Sequence, residues 1–395
     1  MTVWIENPFD NLPLEGFRPQ RFWSMAEAFS EAGHKVTLWT ADFNHTTKQS
    51  RRIDPSFRQP SFSVRFVPAP PYRSNVSFAR IASHRAYAAA WERLAFCEGA
   101  DSRPDVIIVS APPLSTVAPS LRLARAFGAK LVADVQDAWP ETFHRLLPHC
   151  LRRAGEAVFW PLHRVARRLY RSAHFVTGVC DRYRDLVFAA GASSYRRFYL
   201  GLPISECHRL RRGSSPCVRL VYAGNFGRTY DLKTVIVALG KMPNATLDLA
   251  GHGEQELELK IFASSCGLSD RVRFHGYLDC HALEKLFSSA DIGVVPMADD
   301  SFVGVPNKFC DYSAAGLAVV SSLRGESAEL LARYGAGAIY APGDAQSLAD
   351  AVLSLSPECA ANSRRMAEEE FDARRIYASY VKYVEGAVSL GEKGC

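Results

Sequence analysis

The sequence predicts an α/β protein built from two successive doubly wound domains, each with a parallel sheet. Short apolar runs alternate with helical patterns along the chain, and the alternation is interrupted at residues 201–216. Strands that alternate with helices form right-handed βαβ units and therefore parallel sheets. A chain of 395 residues also suits two cores better than one. We expect domains at 1–200 and 201–373, followed by a final helix.

The first half carries five predicted strands, each a short apolar run bounded by turn residues. A helix is predicted at 17–33, where Phe22, Met25 and Phe29 recur at helical spacing and Gly33 ends the helix. The predicted strands are 35–41, 63–69, 105–111, 129–137 and 174–180.

The second half repeats this organisation after a segment rich in Gly, Pro and Ser, residues 201–216, which we interpret as a linker. A final helix is predicted at 374–390, where Ile376, Tyr380 and Val384 fall on one face. The predicted strands are 218–227, 245–253, 271–278, 291–297, 317–322 and 337–343.

Composition excludes several classes of function. The ten cysteines include no C-x-x-C pair, which argues against zinc and thiol-redox sites and favours reduced thiols in a cytoplasmic protein. The first residues lack the basic and apolar regions of a signal peptide, and no apolar run is long enough to span a membrane. We predict neither a metal nor a cofactor.

The charge is concentrated in the first half. Residues 1–200 hold 27 Lys and Arg against 17 Asp and Glu, whereas residues 201–395 hold 20 against 24. A basic half predicts an anionic partner such as phosphate, a lipid headgroup or nucleic acid.

The loop 7–22 lies between the start of the chain and the first helix. Gly16 would allow a ligand to approach the backbone, and Arg18 and Arg21 would add positive charge at a helix N-terminus. The alternative, a turn braced by proline with surface arginines, is equally compatible with this stretch.

The segment 222–234, "YAGNFGRTYDLKT", follows a predicted strand. It lacks the third glycine of the dinucleotide fingerprint, so a dinucleotide site is not predicted. Gly224 ends the strand, and Arg228 could bond two phosphate oxygens at once.

The stretch 305–322, "VPNKFCDYSAAGLAVVSS", predicts a helix that starts near Pro306. Asn307 and Lys308 would lie at the helix start, and Asp311 one turn later. A cation followed by a carboxylate matches a phosphate and a ribose diol. The alternative is a solvated helix cap.

In "DVQDAWPETF", residues 134–143, three carboxylates crowd a predicted strand end: Asp134, Asp137 and Glu141. They could accept hydrogen bonds from sugar hydroxyls or act as a base, although an N-capped helix start would also explain two of them. Since no D-x-D motif is present, a bound diphosphate would be neutralised by arginine, lysine and helix dipoles.

Residues 151–173 interleave arginines with bulky apolar residues. This composition is typical of a basic amphipathic segment on an anionic membrane, and equally of an ordinary helix with a solvated basic face. Nucleic acid is not a predicted partner, because no recognition motif accompanies the arginines.

These segments, in this order, resemble the family 4 glycosyltransferases of the GT-B fold. The series "LVYAGNFG", "LDLAGHGE", "GLSDRVRFHGYLDCHALEKLFSSADIGVVP" and "PNKFCDYSAAGLAVVSS" carries the resemblance in the second half. In the first half, "NPFDNLPLEGFRPQRF" and "DVQDAWPET" are similar to a branch that builds bacterial surface polysaccharides. The resemblance implies two Rossmann-like domains facing a cleft, with helix 374–395 joined to the N-terminal domain.

The resemblance implies specific roles for residues. Asp311 would take the place of the ribose-binding glutamate, whereas Val303 stands where the family has its other glutamate. The family's Arg and Lys pair on the diphosphate would fall near Asn225 and Tyr230, so Arg228 is the substitute. Gln136 replaces a cleft histidine beside Asp137, and His275 and Tyr277 would lie nearest the base.

The implied function is retaining, metal-independent transfer of a sugar from a nucleoside diphosphate sugar, with a UDP sugar as the expected donor. The donor would bind the C-terminal domain, with Arg228, Lys308 and Asp137 as the catalytic groups and Gly16, Gly224, Asn225, Asn307 and Asp311 among the donor ligands. A glycan or polyprenyl diphosphate-linked acceptor would meet Arg18, Arg21, Gln136 and Glu141, in the cytoplasm or on the inner membrane face. The alternatives are a sugar-nucleotide 2-epimerase or hydrolase, and a non-catalytic binding subunit.

Overall fold

The chain is described from a computed structural model. The structure describes residues 1–52, 61–204, 217–299 and 302–392, without the side chains of residues 145, 146, 149, 152, 153 and 390–392. These residues divide into two compact units, Met1–Gly201 with Arg374–Cys395, and Leu202–Ala373. Most of the predicted linker, residues 205–216, lies outside the described residues.

The first unit is built on a sheet of seven parallel strands in the order β5-β2-β1-β6-β7-β8-β9. Strands β3 and β4 form a separate antiparallel pair. The strands are β1 Thr2–Glu6, β2 Lys35–Ala41, β3 Phe43–Asn44, β4 Gln49–Ser50, β5 Ser63–Val67, β6 Val106–Ala111, β7 Lys130–Val135, β8 Phe175–Gly178 and β9 Arg196–Arg197. The five strands predicted here are confirmed, whereas the central strand β1 was not predicted.

Helices cover this sheet because they connect its parallel strands. They are α1 Arg21–Glu31, α2 Phe78–Phe96, α3 Val117–Phe127, α4 Gly155–Val158, α5 Trp160–Ser172 and α6 Arg182–Ala189. All six residues of β6 are buried, as expected for a strand covered on both faces.

The second unit has a sheet of six parallel strands in the order β12-β11-β10-β13-β14-β15. The strands are β10 Val218–Ala223, β11 Ala245–Ala250, β12 Val272–Gly276, β13 Ile292–Val295, β14 Ala318–Ser321 and β15 Gly337–Ile339, which confirms the six predicted strands. The helices are α7 Leu232–Gly240, α8 Glu256–Ser265, α9 Cys280–Ser288, α10 Asn307–Ala314, α11 Glu326–Tyr334, α12 Ala345–Leu353 and α13 Cys359–Glu370.

The last helix, α14 Ala373–Glu392, packs on the sheet of the first unit. Tyr380 is fully buried there, with its hydroxyl 3.1 Å from Oγ1 of Thr177 on β8. Its ring lies 4.8 Å from the ring of Phe198. The chain therefore returns to the unit in which it began.

Each sheet has a point where the strand order reverses. In the second unit β10 lies between β11 and β13, and in the first unit β1 lies between β2 and β6. Open parallel sheets bind ligands outside the carboxyl ends of the strands at such points. The loops after β10 and β13 are therefore the places to look for a ligand site in the second unit.

Candidate functional site

The side chain of Lys308 reaches the carboxyl end of β10. Pro306 is the N-cap of α10, and Lys308 is the second residue of that helix, with only 8% of its surface exposed. Its Nζ lies 3.5 Å from the ring centre of Tyr230 and 4.9 Å from that of Tyr222. A Cβ built on Gly224 would lie 3.2 Å from the same atom. Helix α10 therefore delivers a cation to the turn that follows β10.

This ammonium group has no counter-ion in the described part of the chain. No described side chain or carbonyl accepts a hydrogen bond from Lys308 Nζ, and no described carboxylate forms a salt bridge with it. Burial lowers the pKa of Lys308 to about 7, although the negative charge of Asp311 opposes this shift. A buried cation without a partner is unfavourable, and it is typical of a site that binds an anion.

The turns after β10 and β11 pack backbone against backbone. Gly224 has φ +146°, a conformation that other residues rarely adopt. A Cβ on Gly251 would lie 2.0 Å from the carbonyl oxygen of Gly224, and one on Gly253 would lie 2.6 Å from Oδ1 of Asn225. The carbonyl of Asn225 accepts a hydrogen bond of 2.7 Å from the Tyr222 hydroxyl. The predicted residues Gly224 and Asn225 thus form a tight turn beside Lys308.

Arg228 lies farther out on the same loop. Its side chain is 85% exposed and its Nε lies 3.4 Å from Oε1 of Glu254. Arg228 and Tyr230 line one open depression of about 370 Å³. Arg228 therefore lies beside the Tyr230 ring, which contacts Lys308. Its guanidinium is paired with Glu254 and not with a group that contacts the ammonium.

Helix α10 only partly presents the predicted polar face. Asp311 is half-buried and close enough to Lys308 to favour its charged form. Asn307, however, is exposed, whereas Lys308 is buried. Lys308 and Asp311 therefore lie close together, as predicted, whereas the side chain of Asn307 is exposed at the helix start and does not share their buried surroundings.

His275, predicted to lie nearest the base, has a partner within the sheet, and its role toward a base stays a prediction. Its Nε2 lies 2.7 Å from Oδ1 of the fully buried Asp248, which also accepts hydrogen bonds from Arg219. His275 therefore belongs to the polar contacts of the sheet. Tyr277 is 71% exposed, and its backbone N–H donates to Nε2 of His252 at 3.1 Å. His252 is thus an imidazole that contacts the backbone of the turn after β12.

The prediction that Arg21 binds an acceptor is wrong. Its guanidinium is buried and forms a bidentate pair with Asp134, with Nε–Oδ1 and Nη2–Oδ2 distances of 3.0 and 2.8 Å. It also donates to the carbonyls of Phe198 and Tyr199. Thr177 completes the coordination of Asp134 at 2.7 Å. Arg21 and Asp134 therefore hold the first unit together and are not available to a ligand.

The other polar residues after β7 have separate partners. Gln136 donates through Nε2 to Asp134. Asp137 accepts a hydrogen bond of 3.1 Å from the Trp139 indole, and burial raises its pKa against the effect of the backbone N–H of Ala138. Glu141 lies 3.6 Å from Nδ1 of His163. Asp137 therefore stays protonated to a higher pH than an ordinary aspartate.

Gly16 and Arg18 lie in the loop before α1. Gly16 has φ +83° and closes the short turn Pro13–Glu15, so its conformational freedom serves the loop. Both Gly16 and Arg18 are exposed. A ligand role for them stays a prediction.

The basic segment 151–173 forms α4 and α5. His163, Ala166 and Leu169 face the interior of the unit, and the arginines of α5 are exposed. Leu151, Val158 and Trp160 are also exposed, at 50%, 54% and 52%. The side chains of residues 152 and 153 lie outside the described residues. The inward face of α5 is therefore occupied, and contact with a membrane stays a prediction.

The described residues contain neither a membrane-spanning helix nor a metal-binding group of side chains. None of their helices is long and apolar enough to cross a bilayer. None of their His, Cys, Asp and Glu side chains form a group of three that could hold a metal ion.

A group of basic residues that the sequence did not single out lies in the first unit, at the carboxyl ends of its strands. Lys48 and Arg80 both contact Asn75, through Oδ1 at 2.5 Å and the carbonyl at 2.7 Å. His45 and His84 lie on either side of Phe9, at ring distances of 5.2 and 5.1 Å. They come from separate segments, so no local motif could have revealed them.

Two family models match consecutive parts of the chain. A "Glycosyl transferase 4-like domain" matches residues 19–202, and "Glycosyl transferases group 1" matches residues 218–357. The amylovoran biosynthesis glycosyltransferase AmsK of Erwinia amylovora is 30% identical over 147 residues, 35% of this chain and 36% of that protein. The glycogen synthase of Mycobacterium tuberculosis is 31% identical over 282 residues, 67% of this chain and 63% of that enzyme. The chain thus spans less than two thirds of the curated relatives it matches.

Solved structures support the same fold. Sucrose-phosphate synthase of Thermosynechococcus elongatus superimposes with a TM-score of 0.75 at 14% identity, covering 98% of this chain and 99% of that one. HepE of Anabaena, solved in complex with UDP, gives a TM-score of 0.68 at 15% identity, covering 97% and 99%. The two family models match the two units, and each unit contains one parallel sheet, as the fold of the solved structures requires. The chain belongs to the group 1, family 4 glycosyltransferases of the GT-B fold.

Proposed function

We propose that this protein is a retaining glycosyltransferase that takes a sugar from a UDP sugar and transfers it to a glycan or lipid-linked acceptor of a cell-surface polysaccharide. The observation that carries the proposal is the buried, unpaired ammonium of Lys308 at the carboxyl end of β10. An anionic group placed there would supply the missing counter-charge. A nucleoside diphosphate carries that charge next to a ribose.

The turn after β10 suits a diphosphate for steric reasons. Gly224 leaves its Cα bare within reach of Lys308 Nζ, so phosphate oxygens can approach both the ammonium and the backbone. Lys308 lies in the first turn of α10, and the N-terminus of a helix favours negative charge. Arg228, exposed on the rim, is able to swing onto the outer oxygens.

The family resemblance expected a lysine near Tyr230. In this chain the ring of Tyr230 instead lies under the ammonium of Lys308, at 3.5 Å. Lys308, which comes from helix α10, would therefore provide the positive charge of the lysine that is missing at Tyr230. This substitution supports the same leaving-group chemistry with different residues.

Asp311 is our candidate for the ribose hydroxyls. It lies on the helix that carries Lys308, and its charge acts on that lysine. A diol bound by this carboxylate would place the diphosphate toward the helix start. Tyr277, after β12, and His252, after β11, meet through a hydrogen bond of 3.1 Å from the Tyr277 backbone and are our candidates for contact with the base.

The catalytic contribution of Lys308 follows from where charge develops. As the glycosidic bond breaks, negative charge grows on the departing diphosphate, and a preorganised cation stabilises that state most strongly. In a retaining transfer on one face of the sugar, a leaving phosphate oxygen can take the proton of the acceptor hydroxyl. Asp137 and Glu141 in the first unit would then orient the acceptor.

Named relatives support the choice of donor and pathway. The HepE structures contain UDP and UDP-glucose, and AmsK acts in amylovoran biosynthesis. We therefore expect a uridine nucleotide and a bacterial surface glycan.

Calorimetry with UDP, GDP, ADP and their sugars tests the donor, and NMR of the product tests the stereochemistry. We expect binding of a UDP sugar and transfer with retention at the anomeric carbon. Inversion at that carbon, or preferential binding of GDP or ADP, would overturn the corresponding part of the proposal. Lys260→Met is a matched control for variants of Lys308, since Lys260 is an exposed lysine paired with Glu256 on α8.

A further inference from the structure

Four basic side chains of the first unit, His45, Lys48, Arg80 and His84, form a cluster that we call the basic quartet. Nζ of Lys48 lies 3.4 Å from Nδ1 of His45, and Nε of Arg80 lies 3.4 Å from Nε2 of His84. The segments that carry the quartet follow β2 and β5, so it lies at the carboxyl end of the sheet.

Neutral groups and aromatic rings hold the quartet in place. His45 bonds the hydroxyl of Tyr72, and Lys48 lies 4.7 Å from the centre of the Tyr72 ring. The guanidinium of Arg80 lies 5.2 Å from the ring centre of Trp139 and 5.9 Å from that of Phe9. These contacts orient the cations without neutralising them.

The positive charge of the quartet is uncompensated in the described part of the chain. No described carboxylate forms a salt bridge with any of its four members, although the charge of Asp137 acts on Arg80. Burial and the neighbouring cations lower the pKa of His45 to about 4 and of His84 to about 3, so both imidazoles are neutral near pH 7 and the positive charge lies on Lys48 and Arg80. The pKa of Lys48 falls to about 8, through burial and the charge of Arg80.

The backbone at Lys48 is strained. Its φ is +59°, and no other non-glycine residue of the described chain has a positive φ. Such a conformation is uncommon for a residue with a Cβ and occurs at turns and at ligand sites. Lys48 ends the turn between β3 and β4, where its N–H donates to the carbonyl of Asn44 at 3.0 Å, and this turn places the ammonium in the quartet.

Three apolar side chains at the start of α2, the helix that carries Arg80 and His84, are exposed. Val76 is 69% exposed, Phe78 is 91% exposed and Ile81 is 50% exposed. Arg80 lies between the last two in the sequence, on the same turn of helix. Exposed apolar side chains on the helix that also carries Arg80 fit a ligand with both a phosphate and an apolar chain.

We infer that the basic quartet binds the diphosphate of a lipid-linked acceptor, and that Val76, Phe78 and Ile81 receive the first isoprenoid units of its chain. This inference rests on the proposed function, because it names the acceptor of the same reaction. Arg80 and Trp139 connect the quartet to Asp137, whose carboxylate accepts from the Trp139 indole. An acceptor whose diphosphate occupies the quartet therefore has its sugar end near the carboxylate proposed to orient it.

The test uses the full-length protein and calorimetry with three probes: inorganic pyrophosphate, farnesyl diphosphate and farnesol. We expect farnesyl diphosphate to bind at least tenfold more tightly than pyrophosphate, and farnesol to bind weakly. Arg80→Gln should weaken both diphosphates about tenfold, since it removes a charge-assisted bond. Phe78→Ser should weaken farnesyl diphosphate and leave pyrophosphate unchanged.

Two controls separate this inference from the proposed function. Arg85→Gln, an exposed arginine on the same helix, should change neither affinity. UDP affinity should be unchanged in Arg80→Gln and Phe78→Ser, since neither residue belongs to the donor site proposed around Lys308. If the wild-type protein did not bind UDP, this result would contradict the proposed function but not the binding of a diphosphate to the quartet. Unaltered binding of farnesyl diphosphate in Arg80→Gln would overturn the inference. Equal affinity for pyrophosphate and farnesyl diphosphate would overturn the role of the apolar patch, and with it the lipid-linked acceptor.

Discussion

Nζ of Lys308 lies 3.5 Å from the centre of the Tyr230 ring, so a residue of α10 completes the loop that follows β10. The ring stabilises the cation by about 0.5–2 kcal/mol, which is less than a carboxylate partner would provide. The ammonium remains available to a ligand, and this availability is what our predictions test.

Donor binding should depend on pH through Lys308. An anionic donor favours the charged amine, whose pKa in the free protein is about 7. The affinity for a UDP sugar, whose diphosphate does not titrate near neutrality, should be highest below pH 7 and fall as the pH rises above 7. The limiting slope is about tenfold per pH unit. Calorimetry from pH 6 to 9 measures this slope, and Lys308→Arg should flatten it because a guanidinium stays charged.

Gly224→Ala should weaken donor binding about tenfold. The added methyl group would lie 3.2 Å from Lys308 Nζ, at a backbone φ of +146° that alanine avoids. Gly240→Ala is the matched control, since a Cβ there meets nothing within 4 Å. A Gly224→Ala protein with wild-type affinity would show that the ligand lies elsewhere.

Asp311→Asn should weaken UDP about tenfold and leave 2′,3′-dideoxyuridine diphosphate almost unaffected. A carboxylate bonded to the ribose hydroxyls loses its effect once those hydroxyls are removed. The two ligands and two proteins form a double-mutant cycle measured by calorimetry. Equal losses for both nucleotides would mean that Asp311 acts through Lys308 and not on the ribose.

Arg21→Met should destabilise the protein by about 3–5 kcal/mol, because it leaves the buried carboxylate of Asp134 without its counter-ion. Urea denaturation measures the change. Arg18→Met, at an exposed arginine of the same loop, should change the free energy of unfolding by less than about 0.5 kcal/mol. A stable Arg21→Met protein with a raised KM for acceptor would restore the binding role that the structure contradicts.

The strands were predictable from the sequence because buried parallel strands are continuous apolar runs. Strand β1 was not predicted. Its five residues lie directly before a loop rich in Asn and Pro, and that loop was interpreted as part of a ligand site. The alternation of strands and helices was enough to give the fold class.

The site was less predictable, because its side chains have partners far away in the sequence. Arg21 looks like a phosphate ligand at a helix start, and only its pairing with Asp134, 113 residues later, shows otherwise. The family resemblance placed His275 near the base, whereas the structure shows that its Nε2 contacts Asp248 on the neighbouring strand. Lys308 was predicted correctly as a group at a helix start, but its contact with Tyr230 was not foreseen.

The most direct test of the account is a pair of measurements on Lys308→Met. Calorimetry should show that UDP affinity falls at least 30-fold, because the counter-charge of the diphosphate is removed. Thermal unfolding of the free protein should move to a higher temperature, because roughly 1–3 kcal/mol of buried, unpaired charge is relieved. Unchanged UDP affinity, or a lower unfolding temperature, would show that Lys308 stabilises the fold and does not bind the donor.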